Sequence, residues 1–474
     1  MITAERPTKS SRATPASRVV ALLTAVAVGA ASVPAQAQES TKGLPLVRDA
    51  EIEQLLRDYT QPILRAAGLS QQNIRVVIIN DRSFNAFVAD ARRIFINSGA
   101  LMEAQTPNQI IGVFAHETGH IAGGHLSKMR EQIANATTQS IIAMLIGVGA
   151  MVAGARSGGG SGGLAQAGAA ALSGPQSMIQ RSLLAYVRTQ EEQADRAGVK
   201  FLSATGQSAK GMYETFKRFA DQMLFTAAYI DPYVQSHPMP TERVAALGEL
   251  AKTSPYWDKK DSAELQLRHD LMRAKLSGFM ERPDTVARRY PASDTSLAAR
   301  YARAISSYRH SDLREANTQI DALIQAQPNN PYFHELKGQA LLESGHAAAA
   351  IAPLRRAVQL APNPALIQVL LGQALVAAND PKLAEEAVST LRTAMTHEPE
   401  VPEGYTQLAM AYGRKGDLAQ ADLASAQAAA ARGDLKTARE LAARAKTRFA
   451  VGTPGWVKAD DIVGSKPSAG STSP

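Results

Sequence analysis

The sequence predicts a mainly α-helical protein with a small β-sheet in its first half and an α-solenoid in its second. Three observations carry this reading. Short β-branched runs at residues 75–79 and 93–97 stand between turn residues, the pattern of short strands. A helical stripe of Ile52, Leu55, Leu56, Tyr59 and Ile63 precedes them. From about residue 295 small and apolar residues recur 34 positions apart: Pro328 and Pro362, Gly338 and Gly372, Leu336 and Leu370, Ala340 and Ala374. With 474 residues the chain exceeds one ordinary core, so two or more domains are expected.

Residues 1–37 read as a secretory signal. Arg6, Lys9, Arg12 and Arg18 form a basic start, residues 19–31 a short uncharged apolar run, and Ala35 and Ala37 a cleavage site. The expected compartment is the periplasm, reached by a cleavable signal peptide and without a transmembrane anchor. The nearest later apolar run, residues 141–155, is interrupted by Gly147, Gly149 and Gly154 and falls short of the roughly 18 residues a span needs. The chain has no cysteine, which excludes a disulfide scaffold and any thiolate ligand or nucleophile. Its formal charge of +8 drops to about +5 without the basic leader. That is too mild and too dispersed for nucleic acid.

Residues 44–250 form the expected first domain, with a third short strand through 84–88. A helix then begins near Thr106. Thr106 is placed to cap it, Pro107 fits the first turn, and Gln109 completes a capping box. The glycine and serine run at 157–163 reads as a loop or lid, and another helix runs from about 175 to 206. Residues 251–295 are a helical linker or degenerate repeat, and residues 296–450 hold about four repeats. The 34-residue period resembles the tetratricopeptide repeat. Residues 451–474, rich in Gly, Ser and Pro, read as a disordered tail.

Chemistry concentrates in His116-Glu117-Thr118-Gly119-His120. Two imidazoles at i and i+4 share one helical face and can meet a single Zn²⁺. Glu117, turned away from the ligands, stays close enough to act as general base on a water. A third protein ligand is needed. His125 falls one residue short of the spacing that would let it serve, so it reads as a residue behind the ligands or on the surface. The stronger candidate is Glu191. Leu184, Val187, Glu191, Asp195, Gly198 and Leu202 form one stripe, so two carboxylates interrupt an apolar face. Burying them alone would cost several kcal/mol, which calls for a cationic partner. Zinc on Glu191 and a ligand histidine on Asp195 would supply it, with Glu192 as the fallback ligand. His237, on a turn stiffened by Pro238 and Pro240, either faces the cleft or is an ordinary loop residue. Arg243 beyond it would pair with an acid or hold a substrate carbonyl.

These residues resemble the zinc peptidases that include the CAAX prenyl endopeptidase and the heat-shock membrane protease. The resemblance rests on His116 to His120, Glu191-x-x-x-Asp195, the His237-Pro238 to Arg243 element, Asn85-Ala86-Phe87 and Ile94-Phe95-Ile96. With the signal and the repeats, the chain is similar to the periplasmic beta-barrel assembly-enhancing protease group. The resemblance implies a zincin-like α+β domain with His116, His120 and Glu191 on zinc, Glu117 as base and Asp195 behind a ligand. It implies that His237 approaches the metal and keeps the site closed. It also implies unfolded or misassembled polypeptides as substrates, and the outer-membrane β-barrel assembly machinery as a partner of the repeats. The competing expectation is a zinc-stabilised chaperone or scaffold that binds through its repeats with little proteolysis. Substrate backbone is expected to add to an edge strand at 93–97.

Overall fold

A computed structural model of the chain describes residues 44–134, 184–225 and 232–465. The expected signal at 1–37, the apolar run at 141–155 and the lid at 157–163 lie outside the described residues. Among the described residues, no helix is long and apolar enough to cross a membrane.

The sheet has four strands: β1 (Leu46–Val47), β2 (Arg75–Ile79), β3 (Ala86–Asp90) and β4 (Arg93–Asn97). Their order is β1-β2-β4-β3. β4 pairs parallel with β2, Val77 opposite Phe95, and antiparallel with β3, Phe87 opposite Phe95. This corrects the expectation of a free edge at 93–97. Ile94, Phe95 and Ile96 are fully buried because β4 lies inside the sheet. The outer strand is β3, whose register shifts between Val88 and Asp90.

Helix α1 (Ala50–Ala66) starts at Asp49, whose carboxylate accepts from the Ile52 N–H, and buries Ile52, Leu55, Leu56, Tyr59 and Ile63. After the short α2 (Ser98–Glu103), helix α3 (Pro107–Ala122) buries Ile110, Val113 and Phe114 in the same core. The expected capping box is absent. The Thr106 hydroxyl makes no capping bond, and Gln109 reaches back to the Gln105 N–H at 2.6 Å. Asp261 caps the helix from a distance, accepting from the Asn108 N–H at 2.9 Å. A tertiary contact replaces the local one.

A second helical segment, α4, spans residues 125–134, and α5 spans residues 184–204. Helices α3 and α5 touch backbone to backbone. A Cβ on Gly119 would stand 2.8 Å from the Ala194 carbonyl oxygen, and one on Gly198 would stand 3.2 Å from the His116 nitrogen. Only glycine lets the helices come this close. Next come α6 (Lys210–Phe225), α7 (Pro232–Ser236), α8 (Thr241–Lys252), α9 (Ala263–Met280) and α10 (Pro283–Arg289).

The second half stacks antiparallel helix pairs, from α11 (Leu297–His310) and α12 (Leu313–Ala326) through α13 (Pro331–Glu343), α14 (Ala347–Leu360), α15 (Ala365–Ala377) and α16 (Ala384–His397). The 34-residue glycine spacing has a packing cause. Gly338 leaves room for Leu354 of the paired helix, and Gly372 leaves room for Leu391. The stack continues with α17 (Pro402–Arg414), α18 (Leu418–Arg432) and α19 (Leu435–Arg448). It ends in α20 (Pro454–Gly464), inside the segment expected to be a disordered tail. Thr453 caps α20 and Pro454 opens it, while Ala459 and Ile462 pack against Leu423, Ala445 and Phe449. Apolar anchors outweigh the glycine and serine content there.

The two halves share a polar knot. Lys275 on α9 is buried, with its ammonium 2.7 Å from Asp49, 3.2 Å from Glu51 and 3.8 Å from Glu335 of the repeats. The Tyr301 hydroxyl, also from the repeats, donates to Glu51 at 2.9 Å. Outside the knot, Arg48 pairs with Glu398, and Arg75 with Glu400 at 2.8 Å.

Two predictions follow from this packing. Gly119→Ala must push α5 away from α3, and it is expected to destabilise the fold by about 1–3 kcal/mol, read by thermal unfolding. The second concerns His269, fully buried between the Tyr59 hydroxyl at 3.0 Å and the Ala104 carbonyl at 2.9 Å. Burial lowers its pKa from 6.5 to about 4, so the fold holds it neutral. The unfolded chain binds that proton first, so the contribution is complete above pH 6.5 and is lost as pH falls from there toward 4. In His269→Gln, the acid-side loss of stability should be shallower by up to about 1.4 kcal/mol per pH unit, measured by denaturant unfolding between pH 4 and 7.

Candidate metal centre

Helix α3 places His116, Glu117 and His120 against α5, which supplies Glu191 and Asp195. Proline-stiffened chain after α7 supplies His237, and the first turn of α8 supplies Arg243. His116, Glu117, Glu191, Asp195, His237 and Arg243 are each at most 6 % exposed. Glu192, the fallback ligand, is exposed, and so is Leu184 at the start of the expected stripe. The buried face of α5 begins near Gln190.

One nitrogen or oxygen from each of His116, His120, Glu191 and His237 lies within 4.8 Å of all the others. His116 Nε2 is 3.0 Å from His120 Nε2 and 3.3 Å from His237 Nδ1. Glu191 oxygens stand 3.4 Å from both His116 Nε2 and His120 Nε2, and 3.1 Å from His237 Nδ1. A tetrahedral ion with bonds of about 2.0–2.1 Å has ligand-to-ligand edges of about 3.3–3.4 Å. The donor set and its spacing fit zinc.

Arg243 supplies the fixed positive charge. Its Nε and one terminal nitrogen grip both Asp195 oxygens, at 2.7 and 2.8 Å, in a fork that suits a carboxylate. Its other terminal nitrogen lies 2.9 Å from Glu191 and donates to the Pro238 carbonyl at 2.8 Å. Of the two roles the sequence left open, the geometry is that of pairing to acids. Asp195 in turn reaches within 3.0 Å of His116 Nδ1, which turns Nε2 of that ring toward the cluster.

The charges are strongly coupled. Burial alone would raise the pKa of Asp195, yet Arg243 and His116 hold it below the usual carboxylate range. Glu191 is held well below that range against the same burial, chiefly by His237 and His116. Burial would lower His116, but Asp195 and Glu191 lift it to about 9. His120 goes the other way, pushed down by burial and then by His116. Two anionic carboxylates therefore face the Arg243 guanidinium and the His116 imidazole.

Glu117 differs from the other acids. Both of its oxygens are buried without a hydrogen-bond partner, and His237 Nε2 lies 3.4 Å from one of them. Burial pushes its pKa up. A buried, unsatisfied carboxylate costs stability. His125 is also buried, against His120, which resolves the two positions the sequence left open for it. No spacing rule would have found that contact, because it depends on a turn at Gly123 and Gly124.

Residues 48–251 match Peptidase family M48, and residues 301–365 match a tetratricopeptide repeat. The beta-barrel assembly-enhancing protease of Yersinia pestis is 24 % identical over 413 residues, covering 86 % of this chain and 82 % of that protein. The protein of the same name from Escherichia coli (strain K12) is 24 % identical over 429 residues, with the same coverage. Residues 48–251 are therefore a peptidase family M48 domain, and the chain is a metallopeptidase that carries tetratricopeptide repeats C-terminal to it.

Proposed function

We propose that this metallopeptidase is a zinc-dependent endopeptidase of the periplasm. It hydrolyses peptide bonds of misfolded or stalled proteins during outer-membrane β-barrel assembly. The observation that carries the chemistry is Glu117, buried without a hydrogen-bond partner beside four side chains that could hold a metal ion. A site built only to hold a structural ion has no use for such a base. The names and coverage of the curated relatives support the biological setting.

His116, His120 and Glu191 would hold the zinc. When bound, the ion supplies Lewis acidity toward the scissile carbonyl and acidifies water. Glu117 accepts the proton of the attacking water and passes it to the leaving amine. Its burial makes it a stronger base than an exposed glutamate. Asp195 and Arg243 do not touch substrate in this scheme. They fix the His116 ring and neutralise the acids of α5. His237 occupies the fourth corner, closing the site at rest. Substrate backbone adds to the outer strand β3, which packs beside α3 and α7. Main-chain pairing reads few side chains, so selectivity is loose. The repeats dock the assembly machinery or the folding client.

The four-cornered set also favours a second reading. Closed sites with four protein ligands are typically structural, which would make the chain a zinc-stabilised scaffold working through its repeats. Glu117→Gln separates the two. The enzyme reading expects unchanged zinc content and at least about 100-fold slower cleavage of an unfolded protein. A variant that cleaves as fast as the parent would leave only the scaffold. His237→Ala opens the fourth corner. It should retain zinc, by metal analysis, and cleave the same substrate several-fold faster, and slower cleavage with zinc retained would remove the closing role of His237.

A further inference from the structure

Helix α3 ends at Gly123, whose N–H donates to the Gly119 carbonyl at 2.9 Å. Gly124 follows with φ +62°, a left-handed conformation that glycine adopts without strain. This turn swings His125 back over the end of α3. A Cβ on Gly123 would stand 2.2 Å from His125 Nε2, so the imidazole lies across that glycine. Gln190, the residue before Glu191, donates its side-chain amide to the His125 carbonyl at 3.2 Å. The residue is 3 % exposed. Turn and glycine gap seat the ring over the end of α3, and the glutamine holds the backbone behind it.

In that place His125 Nδ1 is 3.0 Å from His120 Nδ1, with the rings edge to face at 83°. Two imidazole nitrogens at this distance share one proton, so one donates and the other accepts. His120 directs Nε2 toward His116 and Glu191. A ring that gives Nε2 to a metal carries its proton on Nδ1, so His120 donates and His125 accepts. The two ligand histidines are then supported differently. His116 leans on the Asp195 carboxylate, whereas His120 leans on a neutral imidazole.

We propose that His125 is a positioning residue for the metal centre, accepting the His120 Nδ1 proton and thereby fixing the tautomer and orientation of that ligand. This rests on the metallopeptidase reading above. Partners of this kind typically contribute 10–100-fold to metal affinity. The test compares the parent, His125→Phe and His125→Gln as full-length chains by competition for zinc against a chromogenic chelator. His125→Phe keeps the ring volume but has no acceptor, and its zinc affinity should fall about 10–100-fold. His125→Gln keeps an acceptor and should recover most of the loss, which a purely space-filling role would not produce. Nitrogen-15 spectra of the zinc-loaded parent should show His120 protonated at Nδ1, with that proton exchanging faster in His125→Phe. Equal affinity in parent and His125→Phe, or no recovery in His125→Gln, overturns the proposal and leaves the metallopeptidase reading standing. A parent that takes up no zinc overturns both.

Discussion

Two helices must meet backbone to backbone for this centre to exist. The acid that completes the metal set comes from α5, some seventy residues beyond the histidines on α3. Its carboxylate reaches them only because Gly119 and Gly198 remove the side chains that would hold the helices apart. Ordinary packing places helix axes 8–10 Å apart. With a side chain at either glycine, Glu191 could not stay 3.4 Å from both imidazoles without a shift of the backbone. The glycine within the histidine motif is thus a requirement of the close approach that gathers these side chains.

Close packing brings a problem of charge. Glu117, Glu191 and Asp195 are buried together, and burial alone would protonate all three. Pairing wins for two of them. Arg243 forks onto Asp195 and also touches Glu191, so one guanidinium serves both acids of α5. Burial wins for Glu117, which has no hydrogen-bond partner at all. Two touching helices therefore hold carboxylates of opposite tendency, Glu117 on α3 and Glu191 and Asp195 on α5. Glu191 and Asp195 are held below the usual carboxylate range, while Glu117 is pushed above it. Such separation of neighbouring acids by environment is how a site obtains distinct chemical roles from one residue type.

Much of this was legible in the sequence because it is carried by short-range periodicity. The i, i+4 histidines, the stripe through Glu191 and Asp195 and the 34-residue glycine spacing are local patterns, and the structure places each on the helix they imply. What escaped was set by contacts distant in the chain. The Thr106 cap gave way to Asp261, 153 positions from Asn108. Strand order is not encoded in any one strand, so β4 read as an edge although it lies inside the sheet. Helix α20 was hidden by composition, since Thr453, Pro454 and Trp456 form a helix start within glycine- and serine-rich surroundings. The fork of Arg243 on Asp195 could be listed as an option but not selected, because nothing local ties the two.

The Lys275 knot bears on how the two halves of the chain are joined. Domains joined by a flexible linker can sample many mutual angles, and the linker then sets only an effective concentration. Here a buried ammonium is shared by Asp49 and Glu51 at the start of α1 and by Glu335 of the repeats. Pulling the halves apart would break the contacts of that ammonium with acids of both halves. The solenoid and the peptidase domain thus share one set of buried charges, and the orientation of either is tied to the other through them.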